Sequence, residues 1–163
     1  MEKKKVPPTE RIAESYKQLS AASSELNSAA NELGETISTL DAVLHALKLG
    51  VSAWHVIAGN DGDEKGNYWS RDIGYAKVGN KWGIAIRRTW GNHADHHGDE
   101  TWLFGDAPRW MCIEAAGKLP ELFDDLIKRT QESTEKLRAK TAETKKLVAA
   151  IAPLAPEAPK GGK

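Results

Sequence analysis

Within eight residues the segment from His93 to Glu100, HADHHGDE, sets out three imidazoles and three carboxylates. These are the side chains that zinc and similar divalent metals take as ligands. His93 with His96 or His97 can converge in a folded loop, Asp95 can add an oxygen, and His45 or His55 is a distant fourth donor. The chain has no second ligand cluster at a recognised spacing and no HExxH helix. The first reading of residues 92–100 is therefore a polar loop that needs no cofactor. A site there for zinc, another divalent metal or an anionic ligand, with or without enzymatic activity, is the alternative.

The second chemical concentration is the stretch GYAKVGNKWGIAIRRTW, residues 74–90. Gly79-Asn80 reads as a two-residue hairpin turn, with Val78 opposite Lys81. That register places Lys77/Trp82, Tyr75/Ile84, Ile73/Ile86, Arg71/Arg88 and Trp69/Trp90 on one face. The other face carries Ala76/Gly83, Gly74/Ala85, Asp72/Arg87 and Ser70/Thr89. The bulky face is expected to cover the core. The bare one is expected to receive a helix of the same chain, residues 108–116, or else to serve as a docking surface. Arg71 and Arg88 oppose each other, an unfavourable pair unless they stack on indoles or share an anion. Trp69, Arg71, Arg87, Arg88 and Trp90 are thus the candidate partner-binding residues, suited to a protein partner that carries acidic groups.

Other chemistry is thin. Asp61, Asp63, Gly66 and Asp72 fall at calcium-loop positions, but Lys65 stands where an oxygen ligand belongs and strand residues follow in place of a helix. There is no GxSxG and no glycine-rich phosphate loop. Cys112 lies in the apolar run WMCIEAA and reads as a buried, inert thiol.

The totals are those of an ordinary soluble domain. Of 163 residues, 40% are hydrophobic and 28% charged, and 23 basic groups balance 23 acidic ones. Neither nucleic acid nor membrane is favoured by that balance. Residues 128–146 nevertheless hold 7 basic and 3 acidic groups, so a nucleic-acid binder using Arg71, Arg87, Arg88 and this helix is a further alternative. A lone cysteine fits a reducing, cytoplasmic location. MEKKKVPPTE lacks the apolar run of a secretory signal.

The positioning elements follow from periodicity. Ile12, Leu19, Leu26, Leu33, Leu40 and Leu47 recur every seven residues, interleaved by Tyr16, Ser23, Ala30, Ile37 and Leu44. This is a heptad seam, small-sided from Ser20 to Ala30 and rich in Leu and Ile beyond. It predicts one helix over 9–49, capped by Thr9 and stopped by Gly50, after a flexible 1–8. A four-stranded antiparallel meander is expected over 51–105, with polar loops NDGDEKGN and GNHADHHGD and a last strand ETWLF. Helices follow over 107–116, with Asp106 as cap, and 120–151, and then a disordered tail 153–163.

The expected fold is a single α+β domain, 9–152. In it the two long helices form an antiparallel stem beside the meander, completed by homodimerisation. The function this supports is a non-enzymatic interaction module, of adaptor, inhibitor or immunity type, that presents its Trp/Arg sheet to a partner.

Overall fold

The computed structural model describes residues 7–92 and 96–154. Helix α1 spans Pro8–Ala46, 39 residues. Four strands follow, β1 (Ala53–Asn60), β2 (Asn67–Val78), β3 (Lys81–Asn92) and β4 (His97–Leu103). A 3-10 turn over Phe104–Asp106 leads into α2 (Arg109–Ala116) and α3 (Leu119–Ile151). The fold is α+β, with an antiparallel sheet in the order β1-β2-β3-β4.

The hairpin pairs as its turn dictates. Gly79 takes a φ of 59°, Val78 faces Lys81, and every pair from there to Asn67 opposite Asn92 follows in step. The alternation of large residues therefore lands on one face. Ile73, Tyr75, Ile84 and Ile86 join Ile37 and Leu44 of α1, Met111 and Ala115 of α2, and Leu122 and Leu126 of α3 in one core. Burying each such aliphatic side chain contributes about 1.5–3 kcal/mol. All three helices thus anchor on the same face of the sheet.

Several boundaries differ from expectation for reasons in the packing. Helix α1 has Pro7 as its N-cap rather than Thr9, and Pro8 is already helical, because proline's missing N–H costs nothing in a first turn. It leaves helical geometry at Ala46, through Lys48 with a φ of 49°, and Leu49 packs on the core. Buried Phe104 draws Phe104–Asp106 into the 3-10 turn, so Pro108 and not Asp106 precedes α2. Strand β4 starts at His97, inside the predicted loop, pairing Gly98 with Trp90 and His97 with Gly91. Trp90 lies over Gly98, where a Cβ would come within 2.4 Å of the indole. Ala152, Pro153 and Leu154 form a 3-10 turn; residues 1–6 and 155–163 lie outside the described residues.

The intramolecular stem is not formed. Helix α1 packs on β3 and the 3-10 turn, and α3 packs on β1 and β2. The two long helices are not packed along each other among the described residues. The head, made of the sheet, the 3-10 turn and α2, holds α1 by its C-terminal half and α3 by its N-terminal end. The stripes share a period, but each is anchored to a different part of the sheet.

Candidate functional site

The Arg/Trp end of the hairpin assembles on the core face. Arg71 faces Arg88 and Trp69 faces Trp90. The like charges are resolved inside the chain. Arg71 turns to α2, where Nε donates to Glu114 Oε2 at 2.9 Å and Nη2 to Oε1 at 3.2 Å. Its guanidinium lies 4.7 Å from the Trp69 ring and 5.1 Å from that of Trp110. Arg88 takes the other direction, 5.2 Å over Trp90. Arg71 therefore already has an acidic group against it. Exposed Arg88, with half-open Trp69 and Trp90, is what this end offers outward.

Arg87 lies on the opposite face. Its Nε and Nη2 donate to Asp72 Oδ2 at 3.1 and 3.0 Å, and it stacks on Trp54 at 4.3 Å. Asp72 is 3% exposed, and Ser70 donates to it while bonding Thr89 at 2.7 Å. A buried carboxylate is tolerable with these donors in place. The bare glycine and alanine stripe is not covered by residues 108–116, since α2 meets Arg71 on the other face. Side chains of the outer strands and of α1 cover it instead. Trp54 of β1 lies on Gly74, and Leu103 of β4 and Asp41 of α1 close on Gly83. Asp41 also accepts a hydrogen bond from Ile84 N at 2.6 Å, capping β3 beyond the end of β4.

Of the histidine cluster, His93 and Asp95 lie outside the described residues. His96 is exposed, and His97 Nδ1 is hydrogen-bonded to Tyr68 Oη. Among the described residues, no three His, Cys, Asp or Glu side chains come together as a metal-holding group. Asp63 spends its oxygens on the amides of Lys65 and Asn67 and on the Asn67 side chain, which organises the β1–β2 loop. Cys112 donates to Phe104 O at 3.2 Å, and burial pushes its thiol pKa up.

The larger unsatisfied features are on the helices. The α1 seam is buried at Ile37 and Leu44, 3% and 2% exposed, yet Ile12, Tyr16 and Leu19 on the same seam are 68%, 71% and 68% exposed. In α3 the stripe is buried at Leu122 and Leu126, while Leu137, Leu147 and Ile151 are 61–68% exposed. Between α1 and α2 lies a groove of about 880 Å³, lined by Leu26, Ala30, Leu33, Phe104, Cys112 and Ile113 among others. Arg109 bridges its rim to Asn27 at 2.9 Å.

No protein family, curated protein or solved structure matches this chain. No described helix is long and apolar enough to cross a membrane.

Glu114, Trp110, Trp54 and Asp125 were not singled out in the sequence, and His55 was weighed only as a metal donor. Glu114 and Trp110 complete the Arg71 stack, and Trp54 fills the bare face. His55 is hydrogen-bonded to Asp125 at 2.8 Å and ties β1 to α3. For Trp54 a signal exists: a glycine in a strand beside one bearing an unassigned tryptophan marks a place where that ring can lie. For Glu114 the partner is 43 residues away, and only the docking of α2 reveals it.

Proposed function

We propose that this chain is a non-enzymatic protein-association module: an α+β head carrying two amphipathic helix ends whose apolar stripes are its binding surfaces. The observation that carries this reading is the split of one heptad seam. Its Leu33–Leu44 half packs on the sheet, and its Ile12–Leu26 half continues in phase and is exposed among the described residues. Most helix stability in proteins comes from packing an apolar face rather than from propensity, so an uncovered stripe leaves this half under-stabilised. A contiguous exposed apolar stripe also marks an interaction surface on soluble proteins. The groove beside Ala30 and Ile113 extends that surface toward the head. Arg88, between Trp69 and Trp90, is the head's contact for an acidic group, Arg71 being held by Glu114.

Amide hydrogen exchange tests this reading. At nanomolar protein, residues 12–26 and 137–151 should exchange fast while β2 and β3 stay protected. On adding partner, or raising concentration if the partner is another copy, protection should appear in those two segments first. If both segments are already protected to the level of the sheet at the lowest concentration, or never gain protection with any binder, the reading fails.

A further inference from the structure

We propose that the partner is a second copy of this chain and that the pairing is crossed. The free half of α1 in one protomer lies against the free half of α3 in its partner, and the reverse. This rests on the association reading above and adds both the occupant and the pairing rule.

Charge decides the pairing. Over its exposed row, Pro8–Ala29, α1 carries three acidic and two basic side chains, a net of −1, and Glu32 and Glu35 extend the acidic run toward the sheet. Over its exposed row, Thr134–Ile151, α3 carries five basic and two acidic ones, a net of +3. Pairing α1 with α1, or α3 with α3, sets like charges side by side; only α1 with α3 is complementary. Within one chain that pairing is not made, because the two helices leave the head at different anchor points.

Dimensions agree. The α1 row is fully exposed from Pro8 to Ala29 and the α3 row from Thr134 to Ile151. At a rise of 1.5 Å per residue these rods are about 33 and 27 Å long. Each presents four large apolar residues: Ile12, Tyr16, Leu19 and Leu26 on α1, and Leu137, Leu147, Val148 and Ile151 on α3. The small residues Ala13, Ser20, Ala22 and Ala29 flank the α1 row, so a neighbouring helix can approach closely.

The surface area is of the right order. The chain exposes 12908 Å², where a compact monomer of its 17.8 kDa exposes about 8,000 Å². Even fully unfolded, the residues outside the described set (1–6, 93–95 and 155–163) would add only about 2,900 Å². The remainder, about 2,000 Å², exceeds the roughly 800 Å² that each partner gives to a standard interface.

Charge reversal tests the pairing. One variant carries Glu14→Lys, Glu25→Lys and Glu32→Lys; a second carries Lys136→Glu, Arg138→Glu and Lys145→Glu; a third carries all six. Self-association constants come from sedimentation equilibrium at low salt, with circular dichroism as the check on folding. Each single set should weaken the dimer about tenfold or more, and the six-fold variant should recover to within about threefold of wild type. All differences should shrink at 0.5 M salt. If wild type dimerises and the single sets leave its constant unchanged, the crossed pairing is overturned and the association reading stands. If wild type stays monomeric to the solubility limit, the second copy is overturned. The hydrogen-exchange experiment with other binders then judges the association reading on its own.

Discussion

Trp54 lies against Gly74 so closely that a Cβ on the glycine would come within 2.3 Å of the indole. The two face each other across β1 and β2, and the Arg87 guanidinium lies over the same ring at 4.3 Å. The glycine is what lets the indole of the neighbouring strand close on this face of the sheet. Gly74→Ala should therefore destabilise the chain by about 1–3 kcal/mol or more, as overpacking does. The increment should be smaller in a Trp54→Ala background. Urea unfolding of the four-member cycle measures it; equal increments in both backgrounds would mean that the ring is not what meets the new methyl group.

The two arginines facing each other across the hairpin should behave differently. Arg71→Ala removes a forked bond to Glu114 and a cation held between Trp69 and Trp110. A loss of about 1–2 kcal/mol is expected, from packing as much as charge. Arg88→Ala should stay within about 0.5 kcal/mol of wild type, as exposed sites do. Thermal melts of both variants decide this, and a larger loss for Arg88→Ala would reverse the assignment.

That contrast marks how far the sequence could be read. The hairpin register was legible because a two-residue turn and period-two alternation are local. The helix seam was legible for the same reason, and so was the α+β class. The fate of Arg71 was not, because its partner lies on a helix whose docking no local pattern fixes. The start of β4 was hidden because it depends on Trp90 covering Gly98, a contact across strands. Matched heptads favour an intramolecular stem that is not formed, because periodicity says which face of a helix needs covering and is silent on what covers it.

Asp41 gives a pH signature. Burial raises its carboxyl above the ordinary 3.8, partly opposed by the hydrogen bond from Ile84 N. The folded chain then holds this proton at pH values where the unfolded chain has lost it. The group's contribution to stability is greatest below about pH 3.8 and falls as pH rises through the raised folded value. Asp41→Asn keeps an acceptor for Ile84 and removes the charge. Its stability relative to wild type should climb across that window and level off at neutral pH. Asp41→Ala leaves the amide without its acceptor and should lose about 1–3 kcal/mol. Denaturant melts from pH 3 to 8 test both, and a difference that falls with pH would contradict the sign.

Cys112 should be a slow thiol. Its pKa is raised by burial and its proton is directed at Phe104 O, while the thiolate is the reactive form. Labelling by an aromatic disulfide at pH 8 should be at least about tenfold slower in the native chain than in denaturant. Equal rates would show that the wall of the groove beside α2 is open.

The most direct measurement is the mass of the full chain in solution by sedimentation velocity from 5 to 200 µM, for wild type, Leu19→Asp and Leu137→Asp. Leu19 and Leu137 are exposed and far from the core, so both variants should keep the melting temperature of the head. Wild type should rise toward twice 17.8 kDa with concentration while each variant stays at 17.8 kDa. Wild type fixed at the monomer mass throughout, or variants that assemble as wild type does, would contradict the crossed dimer.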